Sequence, residues 1–329
     1  MKPIFSASLA VACLVMQVNP LQAETRFGSA FSPRLGSLEP ELRYELSTIS
    51  RRSVQKQDAK MSWLRQEFGA LLPLKQSERF ESALTNEIKV TDFSTHARLL
   101  NAGVPLPGHL WTVDFGGRVR KQLDSGNIAG LLMTFGSSSD KPFDSLSETS
   151  LRATGILQIP AGDSSQHVLF LNYATDSEFL QNVPLPGYAY QFQAGRKVQA
   201  LLGVPFIWGR WAATEKLALQ ASYFLVRTVH AKISYQLADG LKVYSRFDWQ
   251  NQRWSRAGRA DHDDRLYYYE KKAAVGLQWD FLDNCALDLQ GGFGFDRFLF
   301  EGEDYGDRRR NRISISDGVF LGAMIRWRF

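Results

Sequence analysis

The chain is poor in cysteine. Of its two cysteines, Cys13 falls in an apolar leader, so the remaining chain keeps Cys285 alone and closes no intramolecular disulfide, even in a compartment that allows one. Histidine is nearly as scarce, at five residues, and no His/Cys set stands at metal-ligand spacing. No glycine-rich loop follows a parallel-strand pattern and there is no nucleophile elbow, so no cofactor, no metal ligand and no catalytic residue is assigned from the sequence. Long apolar runs are missing beyond the leader. Residues 130–135 and 200–208 are the longest, far short of the ~20 residues that a spanning helix needs. An excess of one charge is missing too: 39 Lys and Arg against 34 Asp and Glu leave +5. That is too little, and too scattered, for a nucleic-acid-binding face, and no nucleic-acid partner is expected.

What is present begins with residues 1–23. Lys2 supplies a short positive region, residues 4–18 an apolar core, and Asn19-Pro20-Leu21-Gln22-Ala23 a helix-broken exit ending on a small residue. This reads as a secretory signal peptide cleaved after Ala23, although Leu21 leaves the cleaved bond open. Cys13 after Ala10-Val11-Ala12 faintly resembles a lipoprotein box, but the apolar run continues through Met16 and favours the plain signal. Residues 24–41, with Pro33 and Pro40, read as a polar lead-in. Residues 42–329 read as one unit, with no linker that marks a second domain.

The clearest pattern lies at the other end. In residues 313–329 the odd positions Ile313, Ile315, Val319, Leu321, Ala323, Ile325, Trp327 and Phe329 are apolar, interrupted only by Asp317. The even positions carry Ser314, Ser316, Gly318, Arg326 and Arg328 among others. A period-two split of this length is a strand with one greasy and one wet face. It continues to an aromatic last residue, which a strand facing lipid favours and a frayed soluble terminus does not. Trp327 and Phe329 thus resemble the closing strand of bacterial outer-membrane β-barrel proteins. That likeness implies a terminal Phe recognised by the barrel-assembly machinery. From Gly187-Tyr188-Ala189-Tyr190-Gln191 onward the chain also resembles a family of uncharacterised bacterial outer-membrane barrels, which implies location and architecture and transfers no activity.

Similar alternation recurs upstream, at Leu217, Leu219, Ala221, Tyr223 and Leu225, at Val229 through Leu237, at Leu241 through Trp249, and at Tyr267 through Trp279. The joints are long at residues 301–311, short at 282–284, long at 255–264 and short at 238–240. Outer-membrane barrels alternate long external loops with short periplasmic turns in this way. The first half is less regular. Residues 61–72 read as a strand but fit one helix face as well, 77–83 could form a short helix, and 93–108 reads as a connection, plug-like or periplasmic. Residues 188–205 read as one bent strand or two short ones. The expected fold is therefore all-β, a transmembrane antiparallel up-and-down barrel of about 12 strands, with 10 or 14 left open.

If the apolar positions face lipid, their neighbours face the lumen. Candidate lumen-lining residues are Lys232, Lys242, Arg246, Asp248, Glu270, Asp288, Arg326 and Arg328, a mixed-charge and slightly cationic set. Rings of Arg and Lys favour anions in a pore; the same residues could equally pair across strands and fill a narrow barrel. Lys271 breaks the lipid-face pattern, so a bulge is expected near 270–272. The charge clusters at 256–265 and 301–312 read as solvated external loops, with lipopolysaccharide phosphates or divalent cations as the sharper alternative.

The expected function is a narrow pore, transporter or structural protein of a Gram-negative outer membrane. It is expected not to be an enzyme, to contact outer-membrane lipids and lipopolysaccharide, and to take a small polar or anionic solute if it takes one. Two alternatives are a surface hydrolase of lipid, lipopolysaccharide or peptide using His262 with Asp261, Asp263 and Asp264, and a soluble secreted β-protein.

Overall fold

The computed structural model describes residues 31–32, 34–100, 103–177, 182–224 and 228–329. The leader read at residues 1–23 lies outside them. The strands are β1 (Glu41–Val54), β2 (Ala59–Ser77), β3 (Phe80–Thr95), β4 (His109–Gln122), β5 (Ile128–Ser139), β6 (Thr149–Pro160), β7 (Ser165–Ala174), β8 (Leu185–Ala194) and β9 (Val198–Val204). There follow β10 (Phe206–Ala212), β11 (Leu217–Phe224), β12 (Thr228–Ala238), β13 (Leu241–Trp254), β14 (Arg265–Leu282), β15 (Cys285–Gly302), β16 (Ile313–Ile315) and β17 (Gly318–Arg328). Each pairs antiparallel with the next. β16 and β17 are two pieces of one closing strand, and both pair with β15 and β1. The sheet is thus a closed barrel of sixteen strands, in which no strand edge is left open.

The expectation of about 12 strands, or 10 or 14, is therefore corrected to sixteen. The undercount arises where strands are short and joints are tight. β9 and β10 have seven residues each and β11 eight, with only Pro205 between β9 and β10, so no loop composition announces the reversal. Residues 61–72 are part of the 19-residue β2. The segment 77–83 is the end of β2, a two-residue turn at Glu78 and Arg79, and the start of β3, not a helix. Here both faces of the strand carry apolar residues, which blurs the period-two signal.

The wall is uneven in height. β2, β14 and β15 run 18 or 19 residues, against seven or eight for β9 to β11. The end holding Glu41 and Arg328 has short turns, and the opposite end carries the longer connections. The outer face bears the alternating apolar positions, among them Ile233, Tyr235, Val275, Trp279 and Leu321; Val275 is 66% exposed. Lys271 points outward, where the β14–β15 register shifts between Tyr269 and Lys271, and its Nζ lies 2.8 Å from Asp296. The expected irregularity is present, and the extra residue sits on β15. At the loop end Tyr267, Tyr269, Phe298 and Phe300 stack in pairs at 4.6 and 4.5 Å, and Tyr305 from the β15–β16 connection covers them.

Candidate functional site: the barrel interior

A sixteen-stranded barrel is wide enough to hold an aqueous channel. Here three kinds of filling occupy it. The first is a polar layer of inward side chains. Arg43 on β1 is ion-paired with Glu67 on β2 at 2.6 Å, and Lys89 on β3 reaches Glu67 at 3.5 Å and Glu87 at 3.4 Å. On the facing wall Asp248, 0% exposed, lies between Arg246 at 2.9 Å and His230 Nδ1 at 2.7 Å. Lys272 is 3.5 Å from Glu270, and the Tyr244 hydroxyl donates to Asp288 at 2.5 Å. Buried charges persist only when paired, so this layer is mutually neutralised.

The second filling comes from the loop end. The connection 255–264 folds partly over the mouth, with Ser255, Arg256 and Arg259 buried and residues 260–263 exposed. The Ser255 N–H donates to the Ser138 carbonyl at 2.7 Å, the Ala257 N–H to Asp140 Oδ1 at 2.6 Å, and Arg259 pairs with Glu148 at 2.7 Å. β13 and β5 are eight positions apart in a ring of sixteen, so this contact spans the mouth from one side to the other. The reading of this charge cluster as a solvated loop holds for Asp261, His262 and Asp263, which are exposed, and is corrected for Arg256 and Arg259, which are buried, Arg256 pairing with Glu301 at 2.8 Å. Burial would raise the Glu148 carboxyl, but hydrogen bonds from Ser145, Arg259 and Ser147 hold it down to about 2. Asp176 behaves alike: burial raises it, and Arg152 and Arg253 bring it down to about 2. The connection 96–108 is plug-like at this same end, its Ala97, Leu99 and Leu106 packing inward against Trp63, Tyr268 and Leu299.

The third filling is the chain's own lead-in. Residues 34–40 and Phe31 enter from the turn end and are held by side chains of the wall. Gln76 both donates to the Leu38 carbonyl at 2.9 Å and accepts from its N–H at 2.8 Å. Glu81 accepts from the Gly36 N–H at 3.0 Å, and Arg120 donates to the Ser32 carbonyl at 2.6 Å and the Arg34 carbonyl at 3.3 Å. The segment ends with Phe31, 1% exposed, among Ile156, Val168, Phe170, Leu201 and Phe206 on the inner wall. Composition alone read this stretch as polar lead-in. The signal was its apolar residues, Phe31 and Leu38 among them, in a stretch otherwise rich in Ser, Pro, Gly and charge.

Two cavities lie at the two ends. One of about 240 Å³ at the turn end is bordered by Leu38, Glu39, Arg43, Arg118 and Arg328. The other, about 220 Å³, lies under the bridged mouth beside Glu148, Asp176, Arg253, Ser255 and His262.

The sequence-derived candidates distribute as follows. Arg246, Asp248, Glu270 and Asp288 are buried in the polar layer. Lys232 sits over the Tyr244 ring at 4.4 Å. Lys242 is 3.6 Å from Asp280 near the turns, and Arg326 and Arg328 are 3.9 and 3.3 Å from Glu41 at the rim of that end. Trp327 and Phe329 are exposed on the outside and meet edge to face at 5.4 Å. Spacing missed the residues of the first wall, Arg43, Glu67, Glu87 and Lys89, because their strands were harder to phase. At 261–264 the carboxylates shape a turn: Asp261 Oδ1 accepts from the Asp263 N–H at 2.9 Å, and the His262 carbonyl accepts from Arg259. Among the described residues no cluster of His, Cys, Asp and Glu is set to hold a metal ion.

A closed antiparallel barrel with an apolar outer face and a charged inner face is the architecture of a transmembrane β-barrel. No family model matches the chain, and no curated protein matches it. Among solved structures it is similar to an outer membrane channel from Pseudomonas putida F1, at 10% identity and TM-score 0.38, over 91% of this chain and 98% of the other. It is similar also to the Pseudomonas putida toluene transporter TodX, at 9% identity and TM-score 0.36, over 88% and 89%. A mutant porin from Rh. blastica aligns at 9% identity and TM-score 0.31, over 89% and 99%. The architecture stated above rests on the strand pairing itself.

Proposed function

We propose that this protein is a Gram-negative outer-membrane channel for a small anionic or polar solute, and that residues 31–40 are the plug of its closed state. The lipid-compatible outer face and the leader read at residues 1–23 support the location. The observation that carries the function is the form of the obstruction. The turn-end cavity is bordered by a segment that belongs to no strand and is held by side-chain hydrogen bonds to its backbone, whereas the second cavity lies at the opposite end. Such contacts contribute on the order of 1 kcal/mol each and break one at a time, unlike a sheet ladder. The charged lining, mixed in sign with cations slightly ahead, gives the route its weak anion preference.

The competing reading, a structural barrel with a permanently filled interior, draws on the buried ion pairs of the polar layer. Single-channel recording in a planar bilayer separates the two. A folded variant lacking residues 24–38 is expected to give stable current steps with anion preference across a salt gradient, and the intact protein to rest mostly closed. A folded but silent shortened barrel would establish the structural reading. The proposal includes no catalytic step.

A further inference from the structure

The inner wall of a solute channel is expected to be polar, yet β6 to β10 line part of this lumen with apolar side chains. Ile156, Val168, Phe170, Leu201 and Phe206 form a cage, and its occupant is Phe31. The Phe31 ring stacks on Phe206 at 5.8 Å, which in turn stacks on Phe170 at 5.7 Å. Phe170 lies over Gly187, where a Cβ would collide with the ring, so the cage is shaped around this aromatic floor. Immediately beside the ring, the Phe31 carbonyl accepts from Gln166 Nε2 at 3.0 Å.

The cage also has donors that the docked segment does not satisfy. Gln158, fully buried on β6 opposite Val168, has its Nε2 without a hydrogen-bond acceptor among the described residues, and so does the indole N–H of Trp208 at the cage edge. Buried donors without acceptors are costly and call for a partner. Arg120, which reaches Gln158 Oε1 at 3.5 Å, gives two further hydrogen bonds to carbonyls of the segment. Gln158 Nε2, Gln166 Nε2, the Trp208 indole and Arg120, the last ion-paired with Glu81 at 2.7 Å, thus bring N–H donors to the border of an apolar hole.

The chemistry that fits is an aromatic ring joined through two carbons to an oxygen acceptor with negative charge. A phenylalanyl residue, read from ring to carbonyl, is a 3-phenylpropanoyl group. We propose that the cage of β6 to β10 is a binding site for aryl-alkyl carboxylates, and that Phe31 occupies it as an internal stand-in for that ligand. The ring of the ligand takes the place of Phe31. One carboxylate oxygen takes the Gln166 hydrogen bond, and the other lies within the field of Gln158 and Arg120. The ligand therefore competes with the plug. The inference rests on the channel reading and narrows its solute class from small anions to anions with an aromatic body.

Two titrations of the full-length mature protein in micelles test this, with sodium 3-phenylpropionate as the probe and sodium butyrate as the control lacking a ring. By calorimetry, Phe31→Ala is expected to bind 3-phenylpropionate at least tenfold more tightly than wild type, and butyrate not measurably. F31A/Q166L is expected to lose at least tenfold of that affinity. In wild type, which sidesteps any folding defect of the variant, the probe is expected to speed amide exchange of residues 34–38 at least fivefold, and butyrate to leave it unchanged. Absence of both effects, or equal effects of butyrate, overturns the site. Current through the barrel lacking residues 24–38 is the independent readout. Current without probe binding removes this inference and leaves the channel. Probe binding without current removes the channel reading and leaves an aromatic-carboxylate binding barrel.

Discussion

The bridge across the mouth joins Ser255 to Ser138, Ala257 to Asp140 and Arg259 to Glu148, and the share of the ion pair can be bounded from Glu148. The carboxyl is held at about 2 against an ordinary 4.5. A depressed carboxylate pKa means that its stabilisation is complete above the unfolded value and is lost as pH falls through the folded one, here between about 4.5 and about 2. The shift sets a ceiling of about 3 kcal/mol, which Arg259 shares with the hydrogen bonds from Ser145 and Ser147 on Glu148's own side of the mouth, so the pair across the mouth contributes less, about 1–2 kcal/mol. Glu148→Gln removes the charge while keeping the shape. By that magnitude it raises the population of the unbridged mouth about 5- to 30-fold. The reporters are the Ser255 and Ala257 amides, which donate across the mouth to Ser138 and Asp140. Their exchange protection is expected to fall by that factor in E148Q at pH 7. In wild type it is expected to fall when pH is lowered from 4.5 to 2, after correction for intrinsic rates. Protection unchanged within twofold in both experiments would refute the assignment of the bridge to Arg259 and Glu148.

Further consequences are open to direct measurement. Arg120→Met leaves Glu81, 0% exposed, without its 2.7 Å partner, and is expected to destabilise the barrel by ~3–5 kcal/mol, most of it regained in R120M/E81L; urea unfolding in micelles reads both, and equal losses in the single and double variants would count against the pairing. Cysteines at positions 139 and 255, in a Cys285→Ala background, replace two residues joined in a bridge across the mouth, and are expected to cross-link on mild oxidation; free thiols after oxidation would mean an open mouth. Deletion of Phe329 is expected to lower the heat-modifiable, folded fraction in outer membranes, whereas an unchanged fraction would remove the assembly role read into the terminus. Lys271→Ala removes an outward ion pair to Asp296 and is expected to change stability by less than about 1 kcal/mol in the same urea assay.

The class of fold was legible because alternation survives averaging: residues 217–329 carry clean period-two patterns, and their short and long joints alternate as a spanning barrel requires. The strand number was not legible, because β9 and β10 are too short to show a period and β9 turns into β10 around a single proline. Half of the polar layer could be named from parity, Arg246 and Asp248 among them. Its pairing could not, since Glu67 meets Arg43 and Lys89 only after three strands are set in register. The plug was hidden for a different reason. Phe31 and Leu38 lie in a stretch with no period-two alternation, broken by Pro33, Gly36 and Pro40, and their burial depends on a cavity built by residues 38 to 175 positions away, such as Gln76, Gln166 and Phe206.

The central claim is that residues 31–40 are the obstruction whose removal lets the barrel conduct past its paired polar layer and bridged mouth. The most direct measurement is current through the folded barrel lacking residues 24–38, recorded while a synthetic peptide of that sequence is added to one side. The account expects open steps that the peptide blocks in proportion to its concentration, from one side of the membrane only, and that the same peptide with Phe31 replaced by Ala blocks at least tenfold less well. A shortened barrel that never conducts, or conducts and ignores the peptide, would contradict it.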